Sequence, residues 1–76
     1  MELETTKMIA EIHDGIGWVT FNNPERRNAI SLEMWRGLGT ILEAFQHDET
    51  VRVVVMKGAG GKAFVSGADI SEFDAH

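Results

Sequence analysis

The sequence holds no cysteine and a single proline, and its three histidines, His13, His47 and His76, lie far apart. Without cysteine there is no disulfide framework, and the histidines offer no metal-ligand spacing. Neither of the staples on which small domains usually rely is therefore on hand. The lack of cysteine is neutral about compartment. Nowhere does an apolar run approach the roughly 20 residues that span a membrane. Met1-Glu2-Leu3-Glu4-Thr5-Thr6 is acidic and lacks a basic stretch followed by an apolar one, so no signal peptide is visible and a cytoplasmic protein is the expectation. Basic residues are also few. Seven Lys and Arg stand against twelve Asp and Glu, a net charge of −5 with the acids scattered. No basic stripe is interleaved with aromatics, which argues against a nucleic-acid partner.

What is present bounds the class. The 76 residues make at most one small domain, and a chain of this size buries only about 60–65% of its unfolded surface. A hydrophobic content of 43% with 25% charged residues is that of a globular chain rather than a disordered one.

Residues 8–13 are apolar-rich and read as a strand, Asp14-Gly15 is a hairpin turn, and residues 16–21 return as the second strand. Alternation puts Trp18 and Thr20 on one face and Val19 and Phe21 on the other. Asn22 to Asn28 is a loop, because Pro24 lacks a backbone donor and the asparagines favour turns. Ser31 is the N-cap of a helix predicted to run to about Gln46, with Glu33 in the first turn where the dipole favours a carboxylate. Met34, Trp35, Leu38, Ile41, Leu42 and Phe45 fall at helical spacing and give one broad apolar stripe. Gly37 and Gly39 lie off its centre and weaken the helix by about 1 kcal/mol each. Val51 to Met56 is a β-branched strand whose continuously apolar part, from Val53, predicts burial on both faces as in a parallel sheet. Residues 57–62 form a flexible loop, and residues 63–65 a short buried strand.

Ser66-Gly67-Ala68 then breaks the pattern, and Asp69 opens a helix with Glu72 in a variant of the capping box. The predicted order is β-β-α-β-β-α, with the last helix only begun at His76. Small residues ahead of a helix N-terminus leave N–H groups uncovered with the dipole behind them, a place for an anion or a developing oxyanion. By local chemistry alone the plainer account is an ordinary strand-to-helix turn.

Other patterns fail on context. Residues 58–63 match a dinucleotide fingerprint, but that fingerprint must open a helix, and Ala63-Phe64-Val65 favours a strand. Gly61-Lys62 is followed by Ala63 and preceded by Met56 where a phosphate-binding loop needs Ser or Thr and Gly. Ser66 lacks the glycine two residues earlier that a nucleophile elbow requires. Asp69 and Glu72 fit capping better than an acid/base pair, and the Arg26-Arg27 doublet fits a solvated loop better than a phosphate site.

One pair of motifs is specific. Asn23-Pro24-Glu25-Arg26-Arg27-Asn28-Ala29-Ile30, then a helix and a Val-rich strand, then Ala63-Phe64-Val65-Ser66-Gly67-Ala68-Asp69-Ile70, closely resembles the enoyl-CoA hydratase/isomerase (crotonase) family over about residues 8–73. The resemblance implies an α/β fold in which residues 1–76 are the incomplete N-terminal part of a single crotonase-like ββα spiral domain. It implies that the Ala68 backbone N–H is one of two donors to a thioester oxyanion. Ser66, Gly67, Asp69 and Ile70 would line the pocket and contact coenzyme A through backbone atoms. Arg27, Asn28, Ala29 and Ile30 would lie against the pantetheine and nucleotide portion, with Glu25 in the same loop. No metal and no cofactor are implied beyond coenzyme A as part of the substrate.

The second oxyanion donor and the family's acid/base glutamates fall beyond residue 76, so the chain alone is expected to be nearly inert. The implied activity of the full-length form is stabilisation of an enolate-like thioester anion, most simply to hydrate a 2-enoyl-CoA. Hydratases, isomerases, decarboxylases and dehalogenases share this portion, so the reaction itself stays open. The implied partners are an acyl-CoA and, in the full-length form, further copies in a trimer or hexamer; no nucleic acid and no membrane are implied. The alternative is a truncated, non-catalytic piece that binds or completes another chain, because 76 residues can hardly cover the Val51–Met56 strand on both faces.

Overall fold

The computed structural model describes residue 3, residues 5–61 and residue 64. β1, Met8–His13, and β2, Ile16–Phe21, form an antiparallel hairpin with Met8 opposite Phe21 and His13 opposite Ile16. The turn between them is Asp14-Gly15, with φ of 51° and 79°, the positive angles that a primed hairpin turn demands. A single 3-10 turn, Pro24–Arg26, follows in the loop. α1 spans Leu32–Gln46, and the Ser31 hydroxyl accepts from the Met34 N–H at 3.3 Å, so the expected cap is the observed one. β3, Val53–Gly58, then pairs parallel with the free side of β2, from Ile16 opposite Val53 to Phe21 opposite Gly58. The sheet order is β1-β2-β3. The expected strand Ala63–Val65 and second helix lie outside the described residues.

α1 packs on the hairpin. Met8, Val19, Phe21, Ile30, Met34, Ile41 and Phe45 form the core. Val19 and Phe21 do face the helix, as alternation requires, while on the opposite face the Lys57 ammonium lies 5.3 Å from the centre of the Trp18 ring. The Phe45 ring rests directly on Gly17, where a Cβ would meet it at 2.7 Å. The lead-in is tied to the helix start by Lys7, 3.3 Å from Glu33. Hydrogen bonding by Thr5 and then by Lys7 holds the Glu33 carboxyl below its ordinary value. That pair is exposed and contributes little to stability.

Three expectations are corrected. β3 starts and ends two residues later than residues 51–56, because Lys57 and Gly58 continue the pairing with β2 and Val51 is drawn into a turn by a bond from its N–H to the Asp48 carbonyl. β3 is not buried on both faces either: Val53 is 55% exposed, Val54 39% and Met56 40%. A helix about 10 Å wide covers about two strands spaced roughly 4.8 Å apart, and α1 covers β1 and β2. Gly37 lies on the buried face rather than off it. Three residues after Met34 and four before Ile41, it shares their side of the helix, and a Cβ there would come within 3.1 Å of Met8. The stripe is wider than the surface it finds, so Trp35 and Leu42 remain exposed.

Gly17→Ala should destabilise the fold by about 1–3 kcal/mol, because the added methyl overpacks a ring held inside the core. The urea unfolding midpoint measures this, and an unchanged midpoint would mean that Phe45 yields freely.

Candidate active-site loops

Because β2 and β3 run parallel, they end at the same edge of the sheet. The loop Asn22–Ser31 leaves β2 there, and the segment beginning at Ala59 leaves β3 beside it. Carboxyl ends of parallel strands are where open α/β sheets bind ligands. The first motif singled out in the sequence, Asn23–Ile30, lies in the loop that starts from this edge.

The β2–α1 loop is held by two asparagines. The Asn23 carbonyl accepts from the N–H groups of Arg26 at 3.0 Å and Asn28 at 2.7 Å. The Asn23 N–H donates to the Asn28 side-chain oxygen at 2.8 Å, and the Asn23 amide nitrogen donates to the Ala29 carbonyl at 2.9 Å. Arg27 and Asn28 are both left-handed, with φ of 52° and 61°. Two consecutive non-glycine residues in that region hold strain, which local bonding must offset.

The loop is fastened to the end of β3. The Asn28 amide nitrogen donates to the Ala59 carbonyl at 3.0 Å, and the Ala59 N–H donates to the Phe21 carbonyl at 2.8 Å. Gly60, with φ of 85°, backs onto Pro24 so closely that a Cβ would lie 2.8 Å from the Pro24 Cβ. Further on, the Phe64 ring stands edge-on to Phe21, centroids 5.3 Å apart at 87°. Thus Pro24, Asn28 and Phe21 on one side meet Gly60, Ala59 and Phe64 on the other.

Of the expected site residues, Glu25 and Arg27 are exposed at the loop tip and Ala29 is half-buried. Asn28 and Ile30 are turned inward, at 0% and 8% exposure. They lie beneath the loop, inside the fold. Ser66, Gly67, Ala68, Asp69 and Ile70 lie outside the described residues. A cleft of about 290 Å³ flanks the loop, lined by Thr6, Lys7, Asn22, Asn23, Pro24 and Glu25. A larger one, about 480 Å³, lies at the other end of the sheet between Asp14, Gly15, Glu49, Thr50 and Arg52. It contains no motif residue, so the candidate site stays with the loops. Among the described residues no group of three His, Cys, Asp or Glu is arranged to hold a metal, and none of their helices is long and apolar enough to cross a membrane.

The family model for enoyl-CoA hydratase/isomerase matches residues 11–76. The chain belongs to this family. It is 39% identical over 67 residues to the mitochondrial 3-hydroxyisobutyryl-CoA hydrolase of Rattus norvegicus, which covers 88% of the chain and 17% of the hydrolase. It is 41% identical over 63 residues to a hydroxycinnamoyl-CoA hydratase-lyase of Pseudomonas fluorescens, covering 83% of the chain and 22% of that enzyme. The solved carnitinyl-CoA dehydratase of Mycobacterium avium superposes with a TM-score of 0.87 at 39% identity, covering 93% of the chain and 28% of the dehydratase. The fold is therefore that of the crotonase family, and the chain spans about a fifth of the length of these curated relatives.

Sequence reasoning found the loop of the family motif and missed what fastens it. The signal available was Asn28 itself, since asparagine tolerates the left-handed region and two further asparagines precede Pro24.

Gly60→Ala should destabilise the protein by about 2 kcal/mol or more, adding collision with Pro24 to backbone strain. Gly61→Ala, also left-handed at φ 70° but with nothing within 4 Å, should cost only about 1 kcal/mol from backbone strain. Equal shifts in the urea midpoint would show that the Pro24 contact contributes nothing.

Proposed function

We propose that this chain supplies the coenzyme A loop and one oxyanion donor of an enzyme acting on acyl-CoA thioesters. The observation that carries the reading is the junction of the two motif-bearing segments, Asn23–Ile30 and the chain from Ala59, at one edge of the sheet. Family membership supports the same reading. Glu25, Arg27 and Ala29 contact the nucleotide and pantetheine. Ser66, Gly67, Asp69 and Ile70 line the acyl pocket through backbone atoms. The Ala68 N–H donates to the thioester oxygen as negative charge develops there, with the helix opening at Asp69 directing its positive end at the same point.

Hydration of a 2-enoyl-CoA is the simplest reaction of this kind. Water adds at the β carbon, the electron pair moves onto the thioester oxygen, and a proton then returns to the α carbon. The second donor and the acid/base group that this needs belong to protein outside these 76 residues. Residues 1–76 are on this reading part of a single domain. Coenzyme A enters as part of the substrate with no other cofactor, and the enzyme works as a cytoplasmic trimer or hexamer.

The test uses acetoacetyl-CoA, an enolate-like ligand, with the protein at its native length. Exchange of the Ala68 amide should slow by about tenfold or more on binding, as for an N–H sequestered in a buried hydrogen bond. Ala68→Pro, which removes that donor, should lower kcat by about a hundred- to thousandfold. Unchanged exchange at Ala68 in the bound protein would refute the oxyanion role.

The exposure of Val53, Val54 and Met56 on the last strand of the described sheet favours a second reading, a non-catalytic piece that completes another chain. Unpaired, apolar strand edges seek partners. Size-exclusion chromatography of the 76-residue chain decides it. Assembly on addition of a C-terminal family fragment supports completion, and a cooperative monomer indifferent to that fragment removes it.

A further inference from the structure

We propose that Asn28 is a positioning residue that fixes the direction in which the chain leaves β3, at Ala59, relative to the loop Asn23–Ile30. The proposal rests on the acyl-CoA reading above and goes beyond it, because Asn28 is buried beneath that loop and acts through the backbone of Ala59.

The argument begins with burial. A fully buried asparagine is unusual unless every polar end is used. Asn28 is 0% exposed, and both ends of its amide are committed. Its oxygen accepts from the Asn23 N–H within its own loop, and its nitrogen donates to the Ala59 carbonyl, 31 residues along the chain. The two bonds have different jobs. The first closes the loop that carries Glu25, Arg27 and Ala29. The second is a side-chain bond from that loop to the first residue after β3.

Strain points the same way. Asn28 is held at φ 61°, next to Arg27 at 52°. Left-handed non-glycine residues persist only where the surroundings over-determine them, and they gather at sites of function. Here the strained backbone aims the amide at Ala59. Ala59 is then held at both of its backbone polar atoms, its N–H by the Phe21 carbonyl and its carbonyl by Asn28. These belong to the peptide planes before and after its Cα, so both planes are anchored and the direction in which the chain leaves β3 is set. Phe64 against Phe21 makes a second hold five residues later, four residues before Ala68. Positioning of a donor to within a fraction of an ångström is what oxyanion stabilisation demands.

The experiment separates the two bonds, using the protein at its native length. Asn28→Asp keeps the acceptor for Asn23 and the tolerance of a left-handed backbone while losing the donor to Ala59. Asn28→Gly keeps the backbone and loses both bonds. Without ligand, exchange of the Ala59 amide, which is bonded to the Phe21 carbonyl, should accelerate about tenfold in both variants, while Val19, Ile41 and Phe45 change by less than about threefold. With a 2-enoyl-CoA, Asn28→Asp should lose about tenfold or more in kcat with KM within about threefold of the unsubstituted protein, and Asn28→Gly should lose kcat and also raise KM.

Uniform acceleration over all amides would overturn the proposal, leaving Asn28 as a residue of general stability. So would local acceleration at Ala59 with kcat retained. If Asn28→Asp does not fold, the Gly variant alone decides by the same exchange pattern. If the unsubstituted protein neither binds acetoacetyl-CoA nor turns over a 2-enoyl-CoA, the acyl-CoA reading falls by itself. Acceleration confined to Ala59 would then still establish Asn28 as the residue that positions the exit from β3, and its absence would overturn that too.

Discussion

Ala59 ties the exit of β3 both to β2 and to the β2–α1 loop. Its N–H extends the β2–β3 ladder by one bond beyond the last register pair, Phe21 with Gly58, and its carbonyl takes the Asn28 amide. An apolar residue at 28 would leave the Asn23 N–H, itself in a buried residue, without its partner. Unpaired buried polar groups cost about 1–3 kcal/mol each. The loop's strained backbone, its inward asparagine and the exit from β3 therefore stand or fall together. The hairpin and helix beneath them are largely independent of these, sharing the loop's Ile30 in their core.

That independence follows from how burial is distributed. The hairpin and α1 enclose the described core, with Met34, Ile41 and Val19 at 0% exposure. β3 hangs on the far side of β2 by its ladder and by a few contacts at either end, since one helix is only wide enough for two strands. At its start, the Arg52 and Val53 N–H groups both reach the Gly15 carbonyl of the hairpin turn. At its finish stands Ala59. A strand with bare apolar side chains is thus tied at its two ends as well as along its ladder, and at Ala59 a side chain, that of Asn28, makes the tie.

How much of this was legible depends on the range of each signal. The Asp14-Gly15 turn and the Ser31 cap are decided by residues within four positions of one another, and both are where the sequence puts them. The family motif placed the loop Asn23–Ile30 correctly at a strand end. Burial of β3 was misjudged because a run of valines tells what a strand tolerates on its faces, while the number of covering helices decides what it receives. Gly37 was misjudged because a glycine drops out of an apolar tally even when its position, between Met34 and Ile41, is at the centre of the buried face. The bond from Asn28 to Ala59 joins residues 31 apart with no periodicity between them. No local pattern announces such a pair.

The relatives that share this portion bear names of different reactions: a hydrolase, a hydratase-lyase and a dehydratase. What the described residues contribute explains how that is compatible with 39–41% identity. Their part is to set the course of a backbone: where a loop closes, in which direction a peptide points, how near one segment lies to another. A backbone N–H offered to an oxygen is indifferent to whether water is added, removed or used to cleave, because each route can pass through negative charge on the same atom. Side chains that choose among those routes must act on the carbons of the substrate. On the acyl-CoA reading, the described residues constrain position, and the choice of reaction belongs to groups that act on those carbons.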